Sequence, residues 1–225
     1  ERAEMEQALR LAMVEDRLRV HYQPVLDMEG RVVGLEALCR WSDPELGDVP
    51  PSVFIGVAEA SDLIGDLDRW VLGRATRAVA TWHREGRLTG VYLAVNLSGR
   101  HLLDPAAAGD VWRALDSSGF DPRLLVLEIT ETVLLQDLLL AAAHLTTLRA
   151  GGVRVAVDDF GTGYTSIAHL RHLPVDIVKI DRSFVTEIGG ERSRSLVQLM
   201  VGIGETLGLG VVAEGVETAE EFEQL

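Results

Sequence analysis

The sequence predicts an α/β protein, a TIM-like (β/α)₈ barrel whose first strand is antiparallel. Short apolar, β-branched runs alternate with longer segments of helical periodicity, the order of elements expected for a parallel barrel. Five of the runs finish on a carboxylate or an amide, and such barrels build their sites from the C-terminal ends of several strands. The length of 225 residues fits a single domain of this kind. Seven strands are predicted, so the last strand is expected to be missing from this chain.

The N-terminal segment predicts a helix ahead of the barrel. Apolar side chains recur at helical spacing over residues 4–19, and residues 1–19 are assigned to an N-terminal linker or entry helix. Packing of this helix on the base of the barrel is the favoured interpretation, and a linker that carries signals from an upstream domain is the alternative. The barrel domain is assigned to residues 20–225 and is expected to be incomplete at its C-terminus. Because the sequence starts with Glu1, the chain is interpreted as a module excised from a longer protein.

The first two strands are predicted to form a hairpin. The apolar runs at residues 18–25 and 31–41 are separated by a tight turn at 27–30, so the strands should be antiparallel. Proline and glycine in residues 42–51 break both periodicities and predict a loop.

Helices and strands alternate through the rest of the chain. The predicted helices cover residues 52–60, 66–84, 105–118, 134–150, 167–172, 192–207 and 218–225. The predicted strands cover residues 91–98, 124–130, 153–160, 175–181 and 211–216.

Composition excludes several classes of protein. The net charge of −14 argues against a surface for nucleic-acid polymers. A single cysteine, Cys39, excludes an intramolecular disulfide and fits a reducing compartment. Every apolar stretch is too short or too interrupted to span a bilayer. A cytoplasmic location is therefore predicted, and a membrane tether upstream of this chain stays open.

The polar strand ends predict a site for hard divalent cations. Parallel neighbouring strands bring such ends together, and oxygen ligands without a His or Cys cluster favour Mg²⁺ or Mn²⁺. The residues are Glu36, Asn96, Glu128, Asp158 with Asp159, and Glu214.

Seven motifs occur in order through nearly the whole chain. They are YQPV at Tyr22, EALCRW at Glu36, VNLS at Val95, LEITET at Leu127, DDFGTGYTS at Asp158, LPVDIVKID at Leu173 and AEGVET at Ala213. One such motif is weak evidence, whereas seven in order are specific. On these motifs the sequence resembles the EAL domain, the bacterial phosphodiesterase family that cleaves cyclic di-GMP.

The resemblance implies hydrolysis of cyclic di-GMP to linear pGpG with two Mg²⁺ or Mn²⁺ ions per site. For one ion, the resemblance implies the ligands Glu36, Asn96, Glu128 and Asp158. For the other ion, it implies Asp159 and Glu214, and Asp158 is expected to bridge the two ions. Glu36, Asp159, Glu214 and Lys179 are the predicted catalytic residues, and Lys179 is the lysine next to the attacking water.

Further residues are assigned to the substrate and to a loop on the same grounds. Arg40 and Gln23 match substrate-contacting positions. Asp181 is also assigned to the substrate-binding residues and is expected to orient Lys179. In the glycine-punctuated loop that starts at Asp158, Gly161 and Gly163 permit a tight path. Glu131 and Glu217 match the residues that hold this loop, which also contributes to a homodimer in the family.

Two other functions stay open at this point. The first is a non-catalytic cyclic di-GMP receptor, and the second is a structural regulatory module; filled ligand positions favour the enzyme over both. The resemblance also implies an upstream sensor or GGDEF-type domain. Since the family's last strand and glutamine-containing segment are missing here, a chain ending at Leu225 is expected to have a weakened substrate pocket. His169 and His172 are interpreted as a surface pair.

Overall fold

The computed structural model describes residues 2–131, 137–162, 170–171 and 173–225. The chain divides into two compact units, Glu1–Leu127 and Glu128–Leu225. The boundary between these units, after Leu127, differs from the predicted division after residue 19, which stays a prediction.

The first unit carries a helical N-terminus, a hairpin, two further strands and four more helices. Its elements are α1 (Arg2–Val14), β1 (Leu18–Leu26), β2 (Val32–Asp43), β3 (Gly47–Val49), α2 (Pro51–Glu59), α3 (Ile64–Arg84), β4 (Tyr92–Asn96), α4 (Gly99–Leu102), α5 (Ala107–Ser118) and a 3₁₀ turn at Pro122–Leu124. Strand β5 (Leu125–Thr130) crosses the boundary between the units.

The predicted hairpin is confirmed. Strand β1 runs antiparallel to β2, with Leu18 opposite Trp41. The Asp27 carboxylate accepts hydrogen bonds from the Glu29 and Arg31 backbone amides, at 3.0 and 2.9 Å, and so holds the turn. Beyond the hairpin, β2 pairs in parallel with β4.

The end of the first helix and the loop after β2 differ most from the prediction. Helix α1 ends at Val14 because Asp16 takes a left-handed conformation (φ 61°), which an α-helix cannot contain. The predicted loop at 42–51 contains strand β3, which pairs with the end of β2 through a turn at Gly47 (φ 71°). A three-residue strand is too short to show a period of two in the sequence.

The second unit alternates helices with parallel strands. Its elements are α6 (Leu138–Ala150), β6 (Arg154–Phe160), β7 (Ile177–Ile180), α7 (Arg182–Thr186), α8 (Glu191–Leu207), β8 (Gly210–Ala213) and α9 (Ala219–Gln224). Strands β6, β7 and β8 are parallel neighbours in that order. Val155, Val157 and Val178 are fully buried and form part of the core that supports the strand ends.

The short helices α4 and α7 were missed by the sequence interpretation. With four and five residues, they are shorter than the window over which helical periodicity can be recognised. The predicted helix at 167–172 lies mostly outside the described residues, as does the predicted start of the helix at 134–150.

Candidate metal-binding and catalytic site

In the first unit, the structure brings Glu36 and Asn96 together. Asn96 is the last residue of β4, as predicted, and its amide nitrogen donates to Glu36 Oε1 at 3.2 Å. Glu36 lies inside β2 rather than at its end, because β2 continues into the pairing with β3. The part of β2 that pairs with β4 stops one residue later, at Ala37.

The two predicted substrate-binding residues of this unit are neighbours of Glu36. Gln23 lies directly opposite Glu36 in the antiparallel pair β1–β2. Arg40 follows on β2, and its guanidinium donates to the Cys39 carbonyl oxygen at 2.9 Å. Burial raises the pKa of the Cys39 thiol to about 12, so this cysteine is a poor nucleophile.

In the second unit, Lys179 lies at the centre of a cluster of carboxylates. It sits on β7 with a side chain only 4% exposed. Its ammonium nitrogen is 2.8 Å from Glu128 Oε2 and 3.3 Å from Asp158 Oδ1, and it also forms an ion pair with Glu214. Three predicted ligands and the predicted catalytic lysine therefore converge at one point.

Lys179 is also the only lysine among the 21 basic residues of the chain. A compact ammonium with three donors can face three carboxylates within a small buried space, whereas the larger, flat guanidinium of arginine needs more room. A lone lysine in an otherwise arginine-only sequence is therefore a signal for this site that motif matching did not use.

Consecutive residues of β6 contribute to the same cluster. Ligand oxygens of Asp158, Asp159 and Glu214 lie within 4.8 Å of one another. Alternation along a strand would send Asp158 and Asp159 to opposite faces. The β6–β7 pairing shifts register between Val157 and Phe160, and Asp159 takes a left-handed conformation (φ 55°). This bulge re-aims one side chain, which explains how both carboxylates reach the same place.

Two glycines fit the backbone around these ligands. Gly215 directly follows Glu214 at φ 70°, and a Cβ there would come within 2.5 Å of Arg182 Cβ. Gly161 has φ 100°, and a Cβ there would come within 2.4 Å of Met200 Cε. A side chain at either position would be strained by the left-handed backbone, and at Gly215 it would also clash with the Arg182 Cβ atom close to its backbone.

The cluster carries more negative charge than Lys179 balances. Burial, which outweighs the opposing Lys179 ammonium, raises the pKa of Glu214 to about 7, and the neighbouring Asp158 adds to the rise. Burial and repulsion by Asp158 also raise the pKa of Asp159. Carboxylates whose pKa values rise together form a site that a divalent cation would stabilise.

The other predicted residues of this unit have different surroundings. Asp181 caps α7, where its carboxylate accepts from the Ser183 backbone amide at 3.0 Å. Burial opposes ionisation of Asp181, but the hydrogen bonds from Ser183 and the charge of Arg182 lower its pKa overall. Glu131 is buried and Glu217 is exposed. Their predicted role concerns a loop that includes Gly163, which lies outside the described residues.

The sequence matches a known family over almost its full length. The family model described as EAL domain matches residues 6–225. This chain belongs to the EAL domain family. The resemblance inferred from the seven motifs is thereby confirmed.

Relatives and solved structures agree with this membership. The chain is 41% identical over 221 residues to the cyclic di-GMP phosphodiesterase NbdA of Pseudomonas aeruginosa, covering 97% of this chain and 28% of NbdA. It is 40% identical over 214 residues to the cyclic di-GMP phosphodiesterase PdeR of Escherichia coli, covering 95% of this chain and 32% of PdeR. This EAL domain thus spans about a third or less of the length of these relatives.

The fold prediction is confirmed by a solved structure of the family. The complex of the phosphodiesterase PaMucR with cyclic di-GMP superimposes with a TM-score of 0.93 at 38% identity, over 99% of this chain and 90% of that one. The fold is a TIM-barrel-like α/β arrangement with an antiparallel first strand. Across the part of the chain that the structure describes, no helix has the length and apolarity needed to cross a membrane.

Proposed function

We propose that this EAL domain hydrolyses cyclic di-GMP to linear pGpG with the help of divalent cations. The observation that carries the proposal is the convergence of Glu128, Asp158 and Glu214 on the buried Lys179. A buried lysine among carboxylates is the kind of arrangement expected at a site that handles water and protons, which favours a hydrolase over a receptor. Two relatives named cyclic di-GMP phosphodiesterase support the same reaction.

The carboxylate cluster fits Mg²⁺ or Mn²⁺. Its donor atoms are all oxygens, which hard cations prefer, and those of Asp158, Asp159 and Glu214 are close enough to share one ion. The family resemblance also assigns Glu36 and Asn96, the hydrogen-bonded pair of the first unit, to holding a divalent cation. Bound cations would supply charge for the phosphoryl oxygens and lower the pKa of water.

Residues of the chain then have distinct tasks. We assign Lys179 to hold and orient the attacking water, because its ammonium is already fixed by three carboxylates. Arg40 is assigned to a phosphodiester oxygen, which a guanidinium can bind through two parallel hydrogen bonds. Gln23, opposite Glu36 on the hairpin, is assigned to the nucleotide.

The reaction is balanced by one water molecule. Water adds hydroxide to one phosphorus of the cyclic dinucleotide, the bond from that phosphorus to O3′ breaks, and O3′ takes up a proton. The product keeps its phosphate on the 5′ end, which is the linear pGpG. The second phosphodiester bond stays intact.

The proposal extends to the setting of the domain. We infer a cytoplasmic location, a homodimer, and an upstream sensor or GGDEF-type domain in the longer protein. The homodimer can be tested with the purified chain alone, by measuring its mass with light scattering. A mass twice the 24.5 kDa of the chain is expected, and the mass of a monomer would contradict the dimer.

The reaction can be tested by chromatography of the nucleotides. Purified chain is incubated with cyclic di-GMP and Mg²⁺ or Mn²⁺, in parallel with EDTA and with the Asp158→Asn variant. Cation-dependent release of pGpG by the parent only is expected. Binding of intact cyclic di-GMP without turnover under both cations would instead support the receptor alternative.

A further inference from the structure

The first unit contains a buried histidine held between two carboxylates, for which the proposed reaction has no direct use. The His101 side chain is 1% exposed. Its Nδ1 lies 3.3 Å from Asp68 Oδ2 and its Nε2 lies 3.0 Å from Asp110 Oδ2. Each ring nitrogen therefore has a carboxylate partner, and the buried ring links Asp68 to Asp110.

One oxygen of this network also holds the chain that follows β4. Asp68 Oδ2 accepts from the Ser98 backbone amide at 2.9 Å and from the Ser98 hydroxyl at 2.6 Å. The Ser98 hydroxyl in turn caps helix α4 by accepting from the His101 backbone amide at 3.2 Å. Ser98, Asp68 and His101 therefore form a closed ring of contacts.

Asn96 lies just two residues before this ring. Leu97, the residue between Asn96 and Ser98, is buried at 4% exposure, so the connecting chain is fixed on the other side as well. Asn96 makes its own hydrogen bond to Glu36. A shift of Ser98 would consequently be transmitted to the side chain of Asn96 over a single intervening residue.

Asp110, the carboxylate next to His101 Nε2, is held by residues other than Asp68 and Ser98. Asp110, on α5, is held by Arg69 at 3.0 Å and by Arg113. The histidine thus connects a fixed carboxylate on α5 to the carboxylate on α3 that sets the position of Ser98. Removing the ring would leave Asp68 and Asp110 without the side chain that joins them.

We infer that His101 is a positioning residue for the metal ligand Asn96, acting through Asp68 and Ser98. This inference rests on the proposed function, since Asn96 is a ligand only there. Groups that orient metal ligands from behind typically change metal affinity or activity by about 10–100-fold when they are removed. A purely structural histidine would change stability and leave cation affinity at the remaining folded sites unaltered.

The test measures Mn²⁺ affinity in the absence of nucleotide. Free Mn²⁺ is followed by electron paramagnetic resonance in a titration of the parent, His101→Gln, Asn96→Ala and the double variant, all at a temperature where circular dichroism shows them folded. His101→Gln is expected to weaken one Mn²⁺ site by about 10-fold. In the Asn96→Ala background the same substitution is expected to have no further effect, because both act on one ligand.

Two further variants control for a general loss of stability. Asp110→Asn weakens the contact at His101 Nε2 and leaves Asp68 unchanged. A weaker Mn²⁺ site is expected for this variant too. It replaces His101→Gln as the test if His101→Gln does not fold. His83→Gln changes another histidine of the same unit, whose ring stacks on Phe120. His83→Gln is expected to keep Mn²⁺ affinity within about twofold of the parent.

Four results would overturn the inference. These are parental Mn²⁺ affinity in both His101→Gln and Asp110→Asn, additive losses in the Asn96→Ala background, an equal loss in His83→Gln, or a parent that binds no Mn²⁺. Failure of the proposed function looks different: the parent binds Mn²⁺ with the expected coupling between His101 and Asn96 but releases no pGpG.

Discussion

Replacing Lys179 by methionine removes the one positive charge of the carboxylate cluster while keeping a side chain of similar length. The Lys179–Glu128 pair, at 2.8 Å, has a gross Coulomb energy of about 6 kcal/mol for an effective dielectric constant of about 20. Most of this is offset by the cost of desolvating both groups. Because Glu128 stays buried without the ammonium, the net loss of unfolding free energy in EDTA is expected to be about 3–5 kcal/mol.

Cations should restore part of this loss. A divalent ion at the cluster replaces the missing charge and binds the folded state only, so Mg²⁺ should stabilise Lys179→Met more than it stabilises the parent. Turnover should not return, because the residue that orients water is gone; a loss of at least about 100-fold is expected. Lys179→Arg is expected to fold better than the methionine variant and to be similarly inactive, since a guanidinium does not fit among the three carboxylates.

The assay is urea unfolding followed by circular dichroism, with EDTA and with Mg²⁺, alongside the rate of pGpG release. Arg149→Met provides a matched control, because it removes a partly exposed ion pair to Asp176 in the same unit. It should cost about 1 kcal/mol or less and leave the response to Mg²⁺ unchanged. The reasoning would be refuted if Lys179→Met lost no more stability than Arg149→Met, or kept more than about a hundredth of the parental rate.

Three other perturbations test the geometry of the cluster. Gly215→Ala should destabilise the protein by about 1–3 kcal/mol in urea and reduce turnover, because it combines a left-handed backbone with a clash against Arg182; parental stability would contradict the close approach. Asp159→Asn should keep the stability of the parent in EDTA, since asparagine tolerates the left-handed conformation, but should lose Mn²⁺-dependent turnover, whereas Asp159→Ala should also lose about 1–2 kcal/mol of stability. The third perturbation is a change of pH. The pKa of Glu214 is about 7 in the folded protein and 4.5 ordinarily, so the folded protein binds the carboxyl proton of Glu214 more tightly than the unfolded chain does. In EDTA the contribution of Glu214 to stability should therefore be full below about pH 4.5 and be lost as the pH rises through 7, with Glu214→Gln removing this slope; a stability that rises with pH by the same amount in parent and variant would contradict the assignment.

The sequence predicted the order of the strands and most of the site because both rest on local pattern. Runs such as those that end at Asn96 and Asp158 are apolar, short and followed by polar breaks, so their positions as strands could be recognised without tertiary contacts. The bulge at Asp159 could not be predicted, because it depends on how β6 pairs with β7. The continuation of β2 past Glu36 likewise depends on pairing with β3, which is too short to be recognised alone.

The contacts of Lys179 and His101 show a second limit. A motif match identifies Lys179 but does not give its three carboxylate partners, which come from strands far apart in the sequence. His101 belongs to no quoted motif, and its partners Asp68 and Asp110 lie on two different helices. Such networks form only when elements pack, so residue type and spacing carry little information about them.

If the carboxylates around Lys179 hold the cations needed to hydrolyse cyclic di-GMP, turnover depends on the occupancy of those carboxylates by cations. The most direct test of this claim measures bound Mn²⁺ and pGpG release in the same samples, for the parent and for Asp158→Asn, as Mn²⁺ is raised from zero. Turnover is expected to follow Mn²⁺ occupancy in the parent, and the variant should lose both. Turnover that persists in EDTA, or full Mn²⁺ occupancy in the variant, would contradict the claim.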